Sequence, residues 1–170
     1  EYYATTNLGS LAYKVFDYDL GNKHYTAALK VANDLKNKNL EASLYRTIGS
    51  SYTNRMDFDN ALPYLNKSLH IYDSLGDKSQ LPLCYRIFGN LYQSKGDFYE
   101  ARNYYDKAIT VAKTINNKAE VGYSYSAATF LYVIQGELSK AQTTADSTYA
   151  IFKELNNGYQ IAEAYFNMAL

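Results

Sequence analysis

The chain has 170 residues, with 17 Lys and Arg against 17 Asp and Glu, so its formal net charge is zero. A balanced charge argues against a general nucleic-acid binder, because such proteins need an excess of Lys and Arg to neutralise phosphates. The hydrophobic content of 47% argues against disorder, and no apolar run approaches the ~20 residues that a membrane-spanning helix needs. We therefore expect a folded segment that neither binds nucleic acid nor inserts into a membrane.

The sequence repeats itself every forty residues. Residues 44–83 align on residues 84–123 without a gap and share ten identities. The residues that recur along the chain are Tyr45, Tyr85, Tyr125 and Tyr165; Tyr52, Tyr92 and Tyr132; Ala61, Ala101 and Ala141; and Asp17, Asp57, Asp97 and Glu137. A fixed period of this length is typical of a protein built from stacked structural repeats.

Each repeat predicts two helices. Tyr45, Ile48 and Tyr52, for example, recur at the spacing of one helix face. The predicted helices cover residues 2–15, 19–36, 40–55, 59–75, 79–95, 99–115, 119–135, 138–155 and 158–170. The repeats span about 2–41, 42–81, 82–121 and 122–161, with a partial repeat at 162–170.

Turn residues separate the predicted helices. Gly96 suits the left-handed backbone at a helix end, and Asp97 can accept hydrogen bonds from the first N–H groups of the next helix. Ser79 is the predicted N-cap of the fifth helix, which places Pro82 in the first turn, where a missing N–H costs little. Short loops make successive helices antiparallel, so the prediction is an all-α, right-handed solenoid of helix pairs in one domain of residues 1–170.

The repeats resemble the tetratricopeptide repeat family. The third repeat carries the pattern most fully, in Tyr85, Phe88-Gly89, Tyr92, Gly96-Asp97-Phe98, Ala101, Tyr105 and Ala108. Met56 replaces the turn glycine in the second repeat, and Ala128-Thr129 and Ala145 replace the Leu-Gly pair and the aromatic residue in the fourth. The usual repeat has about 34 residues. The forty-residue period is similar to the longer variant in kinesin light chains and bacterial regulatory proteins.

Catalytic and metal-binding patterns are absent from the sequence. His24 and His70 lie in different repeats, and no phosphate-binding loop is present. The carboxylates beside the turns, such as Asp57 and Asp97, are interpreted as helix caps and not as acid–base pairs. Cys84 is interpreted as an inert core residue. We therefore predict no enzyme activity, no cofactor and no metal.

The resemblance implies that the first helix of each repeat lines a concave groove. The candidate groove residues are Tyr13, Lys14, Arg46, Ser50, Asn54, Arg86, Asn90, Gln93, Tyr123, Phe130 and Val133. This groove is polar and basic in the middle and apolar toward its C-terminal end. It predicts a protein or peptide partner that is acidic and has an apolar anchor, since Arg46 and Arg86 can each bind a carboxylate bidentately.

Several alternatives remain open from sequence. Arg46 and Arg86 can instead pair with acidic residues of neighbouring repeats, and Phe130, Val133 and Ile134 can be packed more deeply or be covered by a part of the parent protein outside this sequence. The leading function is a protein-binding scaffold. The alternatives are a sensory or regulatory segment of a bacterial signalling protein, such as a histidine kinase or transcription regulator, and, with less support, an enzyme or an RNA binder. We also expect an excised part of a larger bacterial protein that self-associates through exposed terminal helices.

Overall fold

The computed structural model describes residues 2–161, and this part of the chain folds into helices and contains no strand. Contacts divide the chain into two compact units, Glu1–Asp77 and Lys78–Leu170. The predicted all-α fold of antiparallel helix pairs is confirmed. The single domain and the bounds of its repeats stay predictions.

Two helix pairs form each unit. The first unit contains α1 (Tyr2–Lys14), α2 (Tyr18–Asp34), α3 (Lys38–Asn54) and α4 (Phe58–Ser74). The second contains a 3₁₀ turn (Lys78–Gln80), α5 (Leu81–Lys95), α6 (Phe98–Thr114), α7 (Lys118–Ile134) and α8 (Leu138–Glu154). Within each unit the most extensive packing joins the two helices of a pair, and α2 also packs on α3, as α6 does on α7. The predicted helix bounds agree with these to within about two residues.

The same turn recurs every twenty residues. A residue with positive φ ends each helix, at positions 16, 36, 56, 76, 96, 116, 136 and 156. The following side chain caps the next helix in most turns: Asp17, Asn37, Asp57, Asp97, Asn117 and Asn157 each accept a hydrogen bond from the backbone N–H three residues on, at 3.1–3.3 Å. The capping predicted for Asp57 and Asp97 is confirmed. Equal spacing of these turns fixes the helices at similar lengths.

Within the described residues, two helices begin without a side-chain cap. Ser79 is not the N-cap of α5, because the helix begins two residues later and Gln80 occupies the cap position without a side-chain bond. If Ser79 were the N-cap, Pro82 would be the third residue of the helix. Proline has no backbone N–H to donate to the cap. Pro82 does lie in the first turn, as predicted. Glu137 continues the acidic series but makes no cap bond, since its longer carboxylate pairs with Lys140 (2.5 Å) and Arg102.

A large side chain in the second helix of a pair fills the space beside a small residue of the first. A Cβ added to Gly89 would lie 2.3 Å from a ring carbon of Tyr105, and one added to Gly49 would lie 2.6 Å from Leu65. Gly9 and Tyr25 repeat this relation in the first pair. In the fourth pair the equivalent positions hold Thr129 and Ala145, both buried, and the contact of a large side chain with a glycine moves to Phe152 and Gly122, where an added Cβ would lie 2.7 Å from the ring. The two departures from the family pattern in that repeat therefore compensate each other in volume.

The C-terminal segment is only partly described. Residues 158–161 are helical, in agreement with the predicted ninth helix. The rest of that helix, the partial repeat 162–170 and the predicted self-association of its apolar face lie outside the described residues. Among the helices that are described, none combines the length and the hydropathy needed to cross a bilayer.

The close approach at Gly89 gives a stability prediction. Gly89→Ala should lower the free energy of unfolding by about 1–3 kcal/mol, because the new methyl group overlaps the Tyr105 ring. In a Tyr105→Ala background the same change should become neutral or stabilising, since Ala favours a helix interior by about 1 kcal/mol over Gly. Urea denaturation of the four proteins measures the coupling. An equal effect of Gly89→Ala in both backgrounds would contradict this packing relation.

Candidate functional site

The second unit contains an open pocket of about 420 Å³. Its lining residues are Arg86, Asn90, Tyr123, Ser126, Ala127, Phe130, Tyr159 and Gln160. Four of these, Arg86, Asn90, Tyr123 and Phe130, belong to the groove predicted from the sequence. Polar side chains and aromatic rings therefore meet in one cavity large enough for one or two peptide side chains.

Helical spacing brings these residues together. Arg86 and Asn90 lie one turn apart on α5. Tyr123, Ala127 and Phe130 lie at i, i+4 and i+7 on α7, so they share one face of that helix. Tyr159 and Gln160 come from the helical residues after α8, whose start is capped by Asn157 through its bond to the Gln160 N–H (3.2 Å).

Arg86 lies close to an acidic residue of α7, the first helix of the following pair. Its Nε lies 3.6 Å from Oε2 of Glu120, and both side chains are mostly buried, at 21% and 16% exposure. This distance is too long for a hydrogen bond, and neither of the two buried atoms has another partner among the described residues. The guanidinium carbon also lies 5.4 Å from the centre of the Tyr123 ring, within the range of a cation–π contact. Glu120 and Tyr123 therefore hold Arg86 in place in the pocket wall and partly neutralise its charge.

Tyr105 links the core to two polar side chains of the predicted groove, Asn90 and Gln93. Its ring is 1% exposed, and its hydroxyl oxygen lies 2.9 Å from both Asn90 Oδ1 and Gln93 Oε1. A phenol has one proton to donate, so it can donate to only one of the two amide oxygens at a time. Because Gln93 is a second acceptor, Tyr105 keeps a hydrogen-bond partner when the exposed Asn90 side chain turns away. Burial raises the pKa of the Tyr105 hydroxyl, and the nearby Arg86 charge opposes this rise.

The apolar part of the predicted groove is on the surface. Phe130 is 45% exposed and lines the pocket, and Ile134, one turn further along α7, is exposed as well. Val133 is half-buried and is not among the lining residues. For Phe130 the alternative of deeper packing is therefore wrong.

The predicted groove residues of α3 lie on one polar face of that helix. Arg46, Ser50 and Asn54 follow each other at four-residue intervals on α3 and therefore share one face of it. Burial raises the pKa of the Tyr2 hydroxyl, and Arg46 lies near enough to oppose this rise. Lys14 is exposed at the end of α1.

Tyr13 belongs to the packing of the first unit and not to an open groove. Its ring stacks on Tyr25, with centroids 5.4 Å apart. Its hydroxyl donates to Asn22 Oδ1 and is contacted by the Ser51 hydroxyl. Burial raises the pKa of the Tyr13 hydroxyl.

Comparison with known proteins identifies the repeats. A family model described as tetratricopeptide repeat matches residues 40–114. Residues 40–114 of the chain belong to the tetratricopeptide repeat family. The resemblance predicted from the sequence is thereby confirmed, and α1–α2 and α7–α8 continue the same paired helices on either side.

Solved tetratricopeptide-like structures share the fold over nearly the whole chain. BtubC (BKLC) from P. vanneervenii matches 96% of the chain with a TM-score of 0.82 and 20% identity. Aspartyl phosphate phosphatase F from Bacillus subtilis matches 98% with a TM-score of 0.88, and a Rap protein complexed with Competence and Sporulation Factor matches 98% with a TM-score of 0.84, each at 18% identity. The chain spans 68%, 44% and 47% of the lengths of these three proteins. No curated protein matches the sequence.

The sequence does not predict two features of the pocket residue by residue. Glu120 lies 34 positions after Arg86, at the start of α7, so Arg86 does pair with an acidic residue, although the predicted repeat bounds place both residues in the same repeat. The sequence predicts that Tyr159 and Gln160 belong to the terminal helix and does not place them in the pocket. Only the helix register around Asn157 could have indicated that they line it. Within residues 2–161, no group of three or more His, Cys, Asp or Glu is placed to hold a metal ion.

The raised pKa of the Tyr105 hydroxyl predicts a lower free energy of unfolding at alkaline pH. The unfolded chain releases this proton near pH 10, whereas the folded chain retains it to higher pH. The contribution of this group to the free energy of unfolding is therefore fully present below about pH 10. Above that pH it falls, by at most about 1.4 kcal/mol per pH unit. Tyr105→Phe should reduce that slope at the cost of about 1 kcal/mol for the lost hydrogen bond.

Urea denaturation between pH 8 and 11 measures this slope. Tyr99→Phe is the control, because it removes the same hydroxyl from a residue that is 74% exposed on α6 and outside the core. An identical slope in the wild type and Tyr105→Phe would contradict the prediction.

Proposed function

We propose that the chain is a non-enzymatic protein- or peptide-binding scaffold, and that the pocket of the second unit binds part of its ligand. The observation that carries this proposal is the convergence of Arg86, Asn90, Tyr123 and Phe130 in one open cavity. Membership of the tetratricopeptide family supports it, since repeat proteins of this kind commonly present extended concave binding surfaces.

The pocket favours a ligand with an apolar anchor. Phe130 is accessible beside Tyr123 and Tyr159, and burial of an aromatic or leucine side chain against these rings would remove apolar surface from water. Asn90, Ser126 and Gln160 lie around the same cavity and can satisfy the polar groups of a peptide backbone. The partner that fits best is thus a protein segment or peptide, with Arg86 able to face a carboxylate.

A regulatory segment of a bacterial signalling protein is the second candidate. The fold similarity to a Rap protein complexed with Competence and Sporulation Factor favours it. In that case the repeats would transmit a conformational change on binding instead of only holding a partner. A sensor or output domain joined to these repeats in the full-length sequence would support this candidate, and its absence would favour the simple scaffold.

Selection of random peptides displayed on phage against the whole chain tests the proposal. Selected peptides should carry an aromatic residue or leucine, and Phe130→Ala should weaken their binding about tenfold, because the anchor loses its main apolar contact. Leu138→Ala is the matched control, since Leu138 is 66% exposed on α8 and does not line the pocket. Fluorescence anisotropy of labelled peptides measures both. Equal affinities for the two variants would remove the pocket as the binding site.

A further inference from the structure

Arg46 and Arg86 occupy the same repeat position but have different electrostatic surroundings. They lie forty residues apart, each on the first helix of a pair, α3 and α5. Both side chains are half-buried, and in each the Nε atom is buried without a hydrogen-bond acceptor among the described residues. Because the local position is the same, any difference in ligand binding must come from the neighbouring groups.

The charge of Arg86 is offset within its own unit. Glu120 supplies a carboxylate at 3.6 Å, and the ring of Tyr123 lies under the guanidinium. An external anion at Arg86 would meet the negative charge of Glu120 behind the cation. The net attraction of Arg86 for a second carboxylate is correspondingly reduced.

Arg46 carries a charge that the described part of its unit does not offset. Among residues 2–77 it forms no ion pair, and its hydrogen bond runs from Nη2 to the Ser43 hydroxyl at 3.3 Å. The ion pairs that the first unit does form use other cations: Lys38 with Glu41, and Arg55 with Asp19. The residues that follow Arg46 on the same face, Ser50 and Asn54, are uncharged.

The repeat register explains this difference at the level of sequence. Forty residues before Glu120 the chain has Gln80, and forty residues before Tyr123 it has Leu83. As a matter of sequence alone, the carboxylate and the ring that accompany Arg86 are therefore not repeated forty residues earlier in the chain.

We propose that Arg46 is the anion-binding residue of the first unit and takes a carboxylate of the ligand, whereas Arg86 serves as a neutralised wall of the apolar pocket of the second unit. This inference rests on the proposed function as a peptide-binding scaffold. A partly buried guanidinium without a counter-ion is unfavourable, and a planar carboxylate matches its fork of N–H donors. The carboxylate can come from an Asp or Glu side chain or from the C-terminus of the partner.

Titration of the whole chain with short synthetic peptides tests the assignment. The probes are acetyl-tetraglutamate amide, for side-chain carboxylates, and acetyl-tetraalanine with a free C-terminus, for a terminal carboxylate. Acetyl-tetraalanine amide is the neutral control. Arg46→Gln should weaken binding of whichever acidic probe the wild type prefers by about tenfold, and Arg86→Gln by less than about threefold. Binding by the wild type should fall as salt rises, and this dependence should be lost in Arg46→Gln.

Stability separates a binding role from a structural one. Arg46→Gln removes a half-buried charge without a partner, so its urea midpoint should stay unchanged or rise. Arg86→Gln leaves Glu120 unpaired, so its midpoint should fall. Arg46→Lys keeps the charge but not the planar fork, and should bind the acidic probe at an intermediate affinity.

The sharpest comparison removes the counter-ion of Arg86 in a variant that lacks Arg46. Glu120→Gln should give Arg86 the uncompensated charge that Arg46 has, so adding it to Arg46→Gln should restore a large part of the lost affinity. Failure of this rescue, equal losses in Arg46→Gln and Arg86→Gln, or no binding of either acidic probe by the wild type would overturn the assignment. If the phage-selected peptides still bind in a Phe130-dependent way, only the Arg46 assignment fails. If they do not, the proposed function fails as well.

Discussion

A large side chain sixteen residues after a glycine holds the first three helix pairs together, and the remaining features depend on this contact. The glycine lets the two helices approach closely, and the ring of Tyr105 or the side chain of Leu65 fills the space that a Cβ would occupy. In the second unit the same Tyr105 carries its hydroxyl to Asn90 and Gln93. One residue thus sets the spacing of α5 and α6 and orders the polar edge of the pocket, which couples the core to the candidate site.

Sequence periodicity predicted the fold because the turn residues and the core residues repeat together. The cap at Asp97 and the helix face of Tyr45, Ile48 and Tyr52 both depend on local spacing, which a single sequence displays directly. Side-chain pairing was harder to predict. The contact of Arg86 with Glu120 crosses 34 residues and depends on which rotamers the two long side chains adopt. The cap predicted at Ser79 failed for a local reason, the missing N–H of Pro82.

The candidate groove was predicted in its composition and only partly in its geometry. Four predicted residues meet in one pocket, whereas Tyr13 turns into the packing of its unit and Val133 does not reach the cavity. Resemblance to a family indicates which helix face is the groove but not how each side chain is used. The two arginines illustrate this: the sequence treats them as equivalent, and only their neighbours in the structure make one of them a paired cation. The polarity of the site is therefore set by residues outside the groove positions.

Mapping of backbone amide shifts by NMR is a direct test of the proposed ligand binding in the pocket lined by α5 and α7. On titration of the ¹⁵N-labelled chain with a phage-selected peptide, the largest shift changes should appear at Asn90, Ser126 and Phe130, which line the cavity. Asn103 and Asp106, on α6 and away from this pocket, should be unaffected. Shift changes concentrated on α6 with none at Asn90 and Phe130 would contradict the account.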